Sequence, residues 1–433
     1  MLACRLIELL VNMKYWFSLF CFVLLSPNLF GQVYVENPTR HRFAQLNFGV
    51  EMESGWGGQT RFISSTGDIL SLDLASTLRP RIVIGGLHFW GHADFSIAFP
   101  LSYPVQKDNQ LSLAALSGVE TIFKYYPAAV RQGGIRPFLG FSLAPYSFYQ
   151  DNDALDEGDG PGRTYVRLPL KSGLTYGIGN HLLEISLTYN YAHTIDYPLN
   201  REISTEIEMP ALFAQLSYRY QLETTLSGEQ DWNSGATQET TTRLAQDGGL
   251  NDFFFGVGLS SAWWLGRSAY NQEERNFLPG YNTAIMPDFS FGYYWHQPDL
   301  QLALNYRSYA STHRAFGLVN QSKRRSFGLE VTKNLLDYNG FVPFLGPILT
   351  TENLSFSEVD SQGPNSQVSG DKIAFGLSFG WDIRPDRLQG FILRTNLRYF
   401  PNLFLEHPNG KRLDFDAIEF NFIQLVIFPD RFF

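Results

Sequence analysis

The chain has two cysteines in 433 residues, Cys4 and Cys21, and both lie within its first 31 positions. If those positions are a leader, the mature chain has no disulfide and no thiolate metal site, and it must be held by packing and backbone pairing. Beyond the leader there is no apolar run near the eighteen residues that a membrane-spanning helix requires. Basic residues are also in the minority. Removing residues 1–31 takes Arg5, Lys14 and Glu8 from 33 basic and 42 acidic residues, leaving 31 against 41. With no basic stripe to neutralise phosphates, nucleic acid is excluded as a partner. A Gly-x-Ser-x-Gly elbow and a His-Glu-x-x-His zinc motif are absent too, so no catalytic residue, cofactor or metal ligand is assigned.

What is present begins with an export signal. Met13-Lys14 precedes an almost wholly apolar stretch from Trp16 to Leu25, and Ser26-Pro27 through Gly31-Gln32 reads as a cleavage region. The run is too short to span a bilayer as a helix and fits a cleaved secretory signal over 1–31.

The remaining chain is dominated by period-two alternation, which sends successive side chains to opposite faces of a strand. Gln45, Asn47, Gly49, Glu51 and Glu53 alternate with Ala44, Leu46, Phe48, Val50 and Met52; Gln301, Ala303, Asn305 and Arg307 alternate with Leu300, Leu302, Leu304 and Tyr306. The chain also repeats itself. Gly134-Ile135-Arg136-Pro137-Phe138-Leu139-Gly140 returns as Gly340-Phe341-Val342-Pro343-Phe344-Leu345-Gly346, Gly118-Val119-Glu120 as Gly328-Leu329-Glu330, and Lys171 to Gly177 resembles Ala374 to Gly380.

Eight strands are expected in each half: near 42–56, 80–90, 93–101, 117–127, 135–149, 163–177, 181–193 and 210–223, then 252–264, 287–296, 300–310, 324–335, 341–357, 372–383, 388–400 and 415–428. Connections alternate in length. The long ones, near 57–79, 102–116, 150–162, 194–209, 265–286, 311–323, 358–371 and 401–414, would gather at one end, with turns such as Gly91-His92 and Ile178-Gly179-Asn180 at the other. This asymmetry belongs to transmembrane barrels, with long loops outside and short turns in the periplasm. The fold class is therefore all-β: an antiparallel transmembrane β-barrel of about 16 strands, as one barrel or as two tandem 8-stranded barrels. Its parts are a signal peptide (1–31), a first eight-strand repeat (32–224), a linker or long periplasmic connection (225–250) and a second repeat (251–433). The length of that connection favours two barrels, whereas duplication into one continuous wall favours a single one.

The last strand, Phe420 to Phe428, is closely followed by Phe432-Phe433. With the aromatic-rich composition, this ending resembles bacterial outer-membrane barrel proteins, and Bacteroidota-like ones in particular. The resemblance implies an outer-membrane location, contact with outer-membrane lipid, insertion by the barrel-assembly machinery and other envelope proteins as candidate partners.

Charged residues on the polar faces form a candidate interior network: Glu51, Glu53, Glu120, Lys124, Arg136, Glu184 and Arg219, with Arg307, Glu330, Arg394, Arg398 and Glu419 in the second half. In two narrow barrels these would be packed ion pairs; in one wide barrel they would line water and tune selectivity. Trp56, Trp90, Trp263 and Trp264 suit an interfacial girdle. His193 with Asp196, His88 with His92, and the acidic loop of Asp151, Asp153, Asp156, Glu157 and Asp159 read as ordinary polar segments rather than catalytic or metal sites. The expectation is a non-enzymatic outer-membrane protein. The first reading is a passive channel for small solutes, which follows from the single wide barrel; the alternative, a non-conducting structural, assembly or binding component, follows from the tandem one.

Overall fold

A computed structural model describes residues 34–35, 42–108, 110–130, 133–154, 160–225, 235–264, 268–278, 286–360, 363–384 and 390–431. The leader, Phe432-Phe433, and Asp156, Glu157 and Asp159 of the acidic loop lie outside the described residues.

Alternating faces make each strand half apolar, and pairing between neighbours in sequence closes the sheet twice. In the first half the strands are β1 (Ala44–Trp56), β2 (Thr77–His88), β3 (Ala93–Pro100), β4 (Glu120–Tyr125), β5 (Ile135–Asn152), β6 (Leu170–Ile178), β7 (His181–Tyr189) and β8 (Leu212–Glu223). Each pairs antiparallel with the next, and β8 returns to β1 from Leu212↔Trp56 to Glu223↔Gln45. The second half repeats the plan with β9 (Asp252–Trp264), β10 (Met286–Trp295), β11 (Leu300–Ala315), β12 (Leu318–Asn334), β13 (Phe341–Asp360), β14 (Gly363–Ile383), β15 (Phe391–Phe400) and β16 (Ala417–Ile427). Here β16 closes onto β9 between Phe255↔Ile427 and Trp264↔Ala417. The closure is thus the tandem one. A single sixteen-stranded wall does not form, because the edges it would need, β8 and β9, are already paired within their own halves.

The faces are inverted relative to a soluble protein. Phe48, Val50, Leu304 and Tyr399 are exposed outside, whereas Asn47, Glu51, Arg307 and Arg398 are buried inside. An outer surface of this kind suits hydrocarbon, and both barrels carry it around their circumference.

The repeated Gly-x-x-Pro-Phe segment opens β5 and β13 and does the same work in each. Phe138 lies across from Gly173, and Phe344 across from Gly380. A Cβ on either glycine would come within 2.7 Å of the facing ring, so the ring covers the strand where the glycine leaves space. Matching by sequence alone set Gly173 against Gly376; the register sets it against Gly380.

The outer ends depart from expectation. Segment 311–323 and the described residues of 358–371 lie in strands: β11 and β12 run on as a long hairpin through Phe316-Gly317, both at positive φ (49° and 76°), the two-residue turn that matches strand twist. The outward row there changes from Leu304 and Tyr306 to Ser308, Ala310 and Thr312, so these strands continue into water. In the first half, segments read as loops pair instead. Thr194–Pro198, Ser204–Glu208, Gln59–Ile63 and Ile69–Asp73 form a four-stranded sheet in that order. The connection between barrels contains a helix, α1 (Gly235–Gln246), and a short second helix, α2 (Ala269–Glu273), follows β9.

The barrels touch at both ends. At the short-turn end, Phe89 meets Phe341 at 5.3 Å between ring centroids, and Tyr34–Val35 pairs in parallel with 337–338. At the long-loop end, Arg163 donates to the Phe277 carbonyl (3.1 Å) and Arg201 to that of Phe316 (3.0 Å). Burial pushes the His313 imidazole there down to about 4, and nearby Arg163 acts in the same direction.

Orientation is testable on whole cells. Cysteines placed at Ser65 and Asn365, both exposed on the long-loop end, should react with an impermeant maleimide, and one at the exposed Gly179 turn should not. Labelling at position 179 alone would reverse the orientation.

Candidate functional site: two sealed barrel interiors

Inward-facing positions of an eight-stranded barrel converge on a bore that side chains can fill. In the first barrel they fill it in layers. At the short-turn end an apolar floor is made by Leu87, Tyr126, Val130, Phe138 and Leu182. Above it, Arg219 joins Asp94 (2.6 Å) and Glu184 (2.6 Å), and Lys124 meets the same Glu184 at 2.7 Å while lying 5.0 Å from the centre of the Phe138 ring. Thr175 donates to Glu184 as well, at 3.3 Å. A second charged layer is organised by Arg81, which reaches Glu53 (2.8 Å), Glu120 (2.6 Å) and Glu51 (2.8 Å through Nε). Arg79 pairs with the other oxygen of Glu53 and donates to Ser117 Oγ at 2.6 Å. Buried Lys171 faces Glu51 and Glu120. A roof containing Tyr146, Phe148, Tyr197 and Phe213 closes the outer end; burial raises the Tyr197 phenol well above its ordinary range.

The second barrel follows the same layering with different residues. Its floor includes Phe254, Tyr294, Ile392 and Phe428. In the charged middle, Arg398 bridges Asp288 (2.6 Å) and Glu330 (3.1 Å), and Arg394 is bidentate to Asp382 (2.8 Å twice) beside the Phe344 ring, 4.8 Å away. Glu419 lies between Arg307 (2.7 Å) and Arg324 (3.0 Å), and Arg324 is also bidentate to Glu352. Tyr270, Leu354, Phe356, Leu405 and Phe415 contribute to the roof.

An isolated charge in so dry a place would be very costly, and these groups are tolerable only because each faces opposite charge or hydrogen-bond donors. In the first barrel the carboxylates Glu51, Glu53, Asp94, Glu120 and Glu184 are matched by Arg79, Arg81, Lys124, Lys171 and Arg219. A water-filled bore would leave such side chains wet. Instead Asp94, Arg81, Arg307 and Glu419 are all 0% exposed.

Of the twelve residues expected in the interior, the structure places eleven in these two clusters. The exception is Arg136. It sits half-buried at the short-turn mouth of β5, where its guanidinium donates to the carbonyls of Ala129 and Ile135, both at 3.1 Å. Phe138, one inward position further along, takes the interior place. Sequence reading missed Arg79, Arg81, Asp94, Lys171, Asp288, Arg324, Glu352 and Asp382. Leu78-Arg79-Pro80-Arg81-Ile82 alternates and could have revealed the first two, but Lys323-Arg324-Arg325 is a charge run that conceals which member points inward.

The polar candidates elsewhere do not assemble into sites. His193 and Asp196 are three apart along an extended segment, which sends them to opposite faces, and Asp196 is exposed while His193 is half-buried. His92 Nδ1 lies 2.9 Å from the Tyr126 carbonyl, whereas His88 faces the Phe95 ring. Among the described residues, no cluster of three or more His, Cys, Asp or Glu could hold a metal ion. Trp56 is exposed at the outer end of β1, Trp90 packs on Phe43 within a turn, and Trp263 lies against Phe420; the Trp264 side chain is outside the described residues.

No family model matches the chain, and no curated protein matches it. Several solved structures are similar to part or most of the chain. Neisserial surface protein A is 16% identical, with 40% of this chain covering 96% of that one at a TM-score of 0.28. Ail of Yersinia pestis, solved with a heparin analogue, is 10% identical, with 41% and 97% covered at 0.27. A monoaromatic hydrocarbon channel, CymD, is 7% identical over 94% and 92% at 0.19. At these scores the barrel assignment rests on the strand pairing of this chain itself.

Arg81 is the group whose loss should matter most. Arg81→Met leaves Glu51, Glu53 and Glu120 without their shared guanidinium and should cost about 3–5 kcal/mol in urea unfolding from detergent micelles. Arg136→Met should cost no more than about 0.5 kcal/mol. Equal losses for the two would contradict the assignment of the interior network.

Proposed function

We propose that this chain is a non-conducting component of the bacterial outer membrane, serving as a structural, assembly or binding element of the envelope. The observation that carries this reading is the layered filling of both bores, with an apolar floor, neutralised charges and an apolar roof. A passive channel depended on a wide wall with a wet interior, and the closure of each half on itself removes that basis. The lipid-compatible outer faces and the alternation of long loops with short turns support the membrane location, and the expected partners are outer-membrane lipid, the assembly machinery during insertion and other envelope proteins. The aromatic-rich composition is what supports a Bacteroidota-like setting.

A non-enzymatic role goes with this reading. His193 and Asp196 do not share a face, so neither polarises the other, and general acid–base chemistry has no geometric support at that loop.

Reconstitution of the folded full-length chain in a planar bilayer tests the proposal. Insertion should give no stepwise conductance above baseline at moderate voltage, while the same preparation shows heat-modifiable mobility as proof of folding. Sustained ohmic steps from that preparation would restore the channel reading.

A further inference from the structure

The two barrels do not meet along their whole length. Between their outer faces, beside the contact in which Phe95 and Phe123 approach Trp381 (6.2 and 6.4 Å between ring centroids), lies a cavity of about 580 Å³. One wall is built from outward side chains of β2 and β3, including Ile84, Ile97 and Phe99. The other comes from β15 and β16, with Phe391, Leu393 and Ile423. Ile84, Phe391 and Ile423 remain 46%, 37% and 43% exposed, so the partner barrel does not cover them. Contacts at both ends, Phe89 on Phe341 and Arg201 on the Phe316 carbonyl, hold the walls apart.

The crevice extends toward the short-turn end, where Thr224 and Thr225 form part of its lining just after β8. It therefore occupies the periplasmic half of the hydrocarbon layer. Left empty, its walls would lose dispersion contacts; filled with water, their mostly apolar surface would offer few hydrogen-bond partners beyond the threonine end. The fluid around it is acyl chain. We propose that this crevice is a binding site for an acyl chain of a glycerophospholipid from the periplasmic leaflet, wedged between the barrels with its headgroup toward the threonine end. A flexible unbranched chain can follow a long slot without polar anchors, and it would fix the barrels relative to each other by filling the space between them. Lipopolysaccharide chains enter from the opposite leaflet and would not reach the slot's mouth. The site rests on the membrane placement of both barrels but not on whether either one conducts.

The full-length protein should retain about one glycerophospholipid per chain when native mass spectrometry follows purification in a detergent that strips loosely held lipid. Filling the slot with the double substitution Ile84→Trp and Thr395→Trp should lower that occupancy at least fivefold. Ile185→Trp, on the lipid-facing side of β7 away from the crevice, should leave it unchanged. Each variant is checked for heat-modifiable mobility. If the filled variant fails to fold, the wild-type chain in vesicles containing a phosphatidylethanolamine with a photoactivatable acyl chain supplies the readout: adducts should concentrate on peptides covering 84–99 and 391–395. A lipid-free wild type, retention unchanged by filling, lipopolysaccharide as the retained species, or adducts spread evenly over the outer belt would each overturn the proposal.

Discussion

A strand edge in hydrocarbon leaves a row of amide and carbonyl groups without partners, at several kcal/mol each, and water cannot satisfy them there. Each half of this chain meets that constraint separately, by returning its eighth strand to its first. The rest of the architecture follows from that return. An eight-stranded wall is narrow, so its inward side chains must fill the bore, and alternation places polar residues at those positions. Charge inside must then be neutralised within the same barrel, since β8 and β9 have no pairing left with which to open a shared lumen.

Neutralisation is achieved differently in the two halves despite their common origin in sequence. Phe138 and Phe344 keep equivalent positions opposite a glycine, and each has a cation near its ring, Lys124 in one case and Arg394 in the other. Glu120 and Glu330 correspond in the sequence repeat, but Glu120 is bound by Arg81 from β2 whereas Glu330 is bound by Arg398 from β15. The repeat has preserved the backbone plan and the aromatic floor while the ion pairs were rebuilt. This is what a dry interior demands, for a charge can be moved only together with its partner.

Much of this was readable from the amino acids. Alternation at 44–53 and 300–307 identifies the inward and outward faces because a strand's period of two leaves no third choice. The number of wall strands in each half follows from sixteen such segments, and the tandem closure was one of two arrangements those segments allowed. Choosing between them needed long-range pairing, Glu223 with Gln45 and Ala417 with Trp264, which no local pattern encodes. Ends of strands were harder to see. The outward row Ser308, Ala310, Thr312 and Arg314 carries no large apolar residue, so the hairpin through Phe316-Gly317 lacks the apolar row that marks a strand in lipid. Arg136 shows the opposite failure: it has the right parity for the interior, but parity does not say where the filled bore ends.

Separate closure is most directly tested by folding one half alone. Residues 32–224, refolded into detergent micelles without the remainder of the chain, should give a β-rich, heat-modifiable, protease-resistant species whose thermal unfolding is cooperative. A first half that aggregates or remains unstructured unless residues 251–433 are supplied would contradict the account, since its edges would then need partners from the other half.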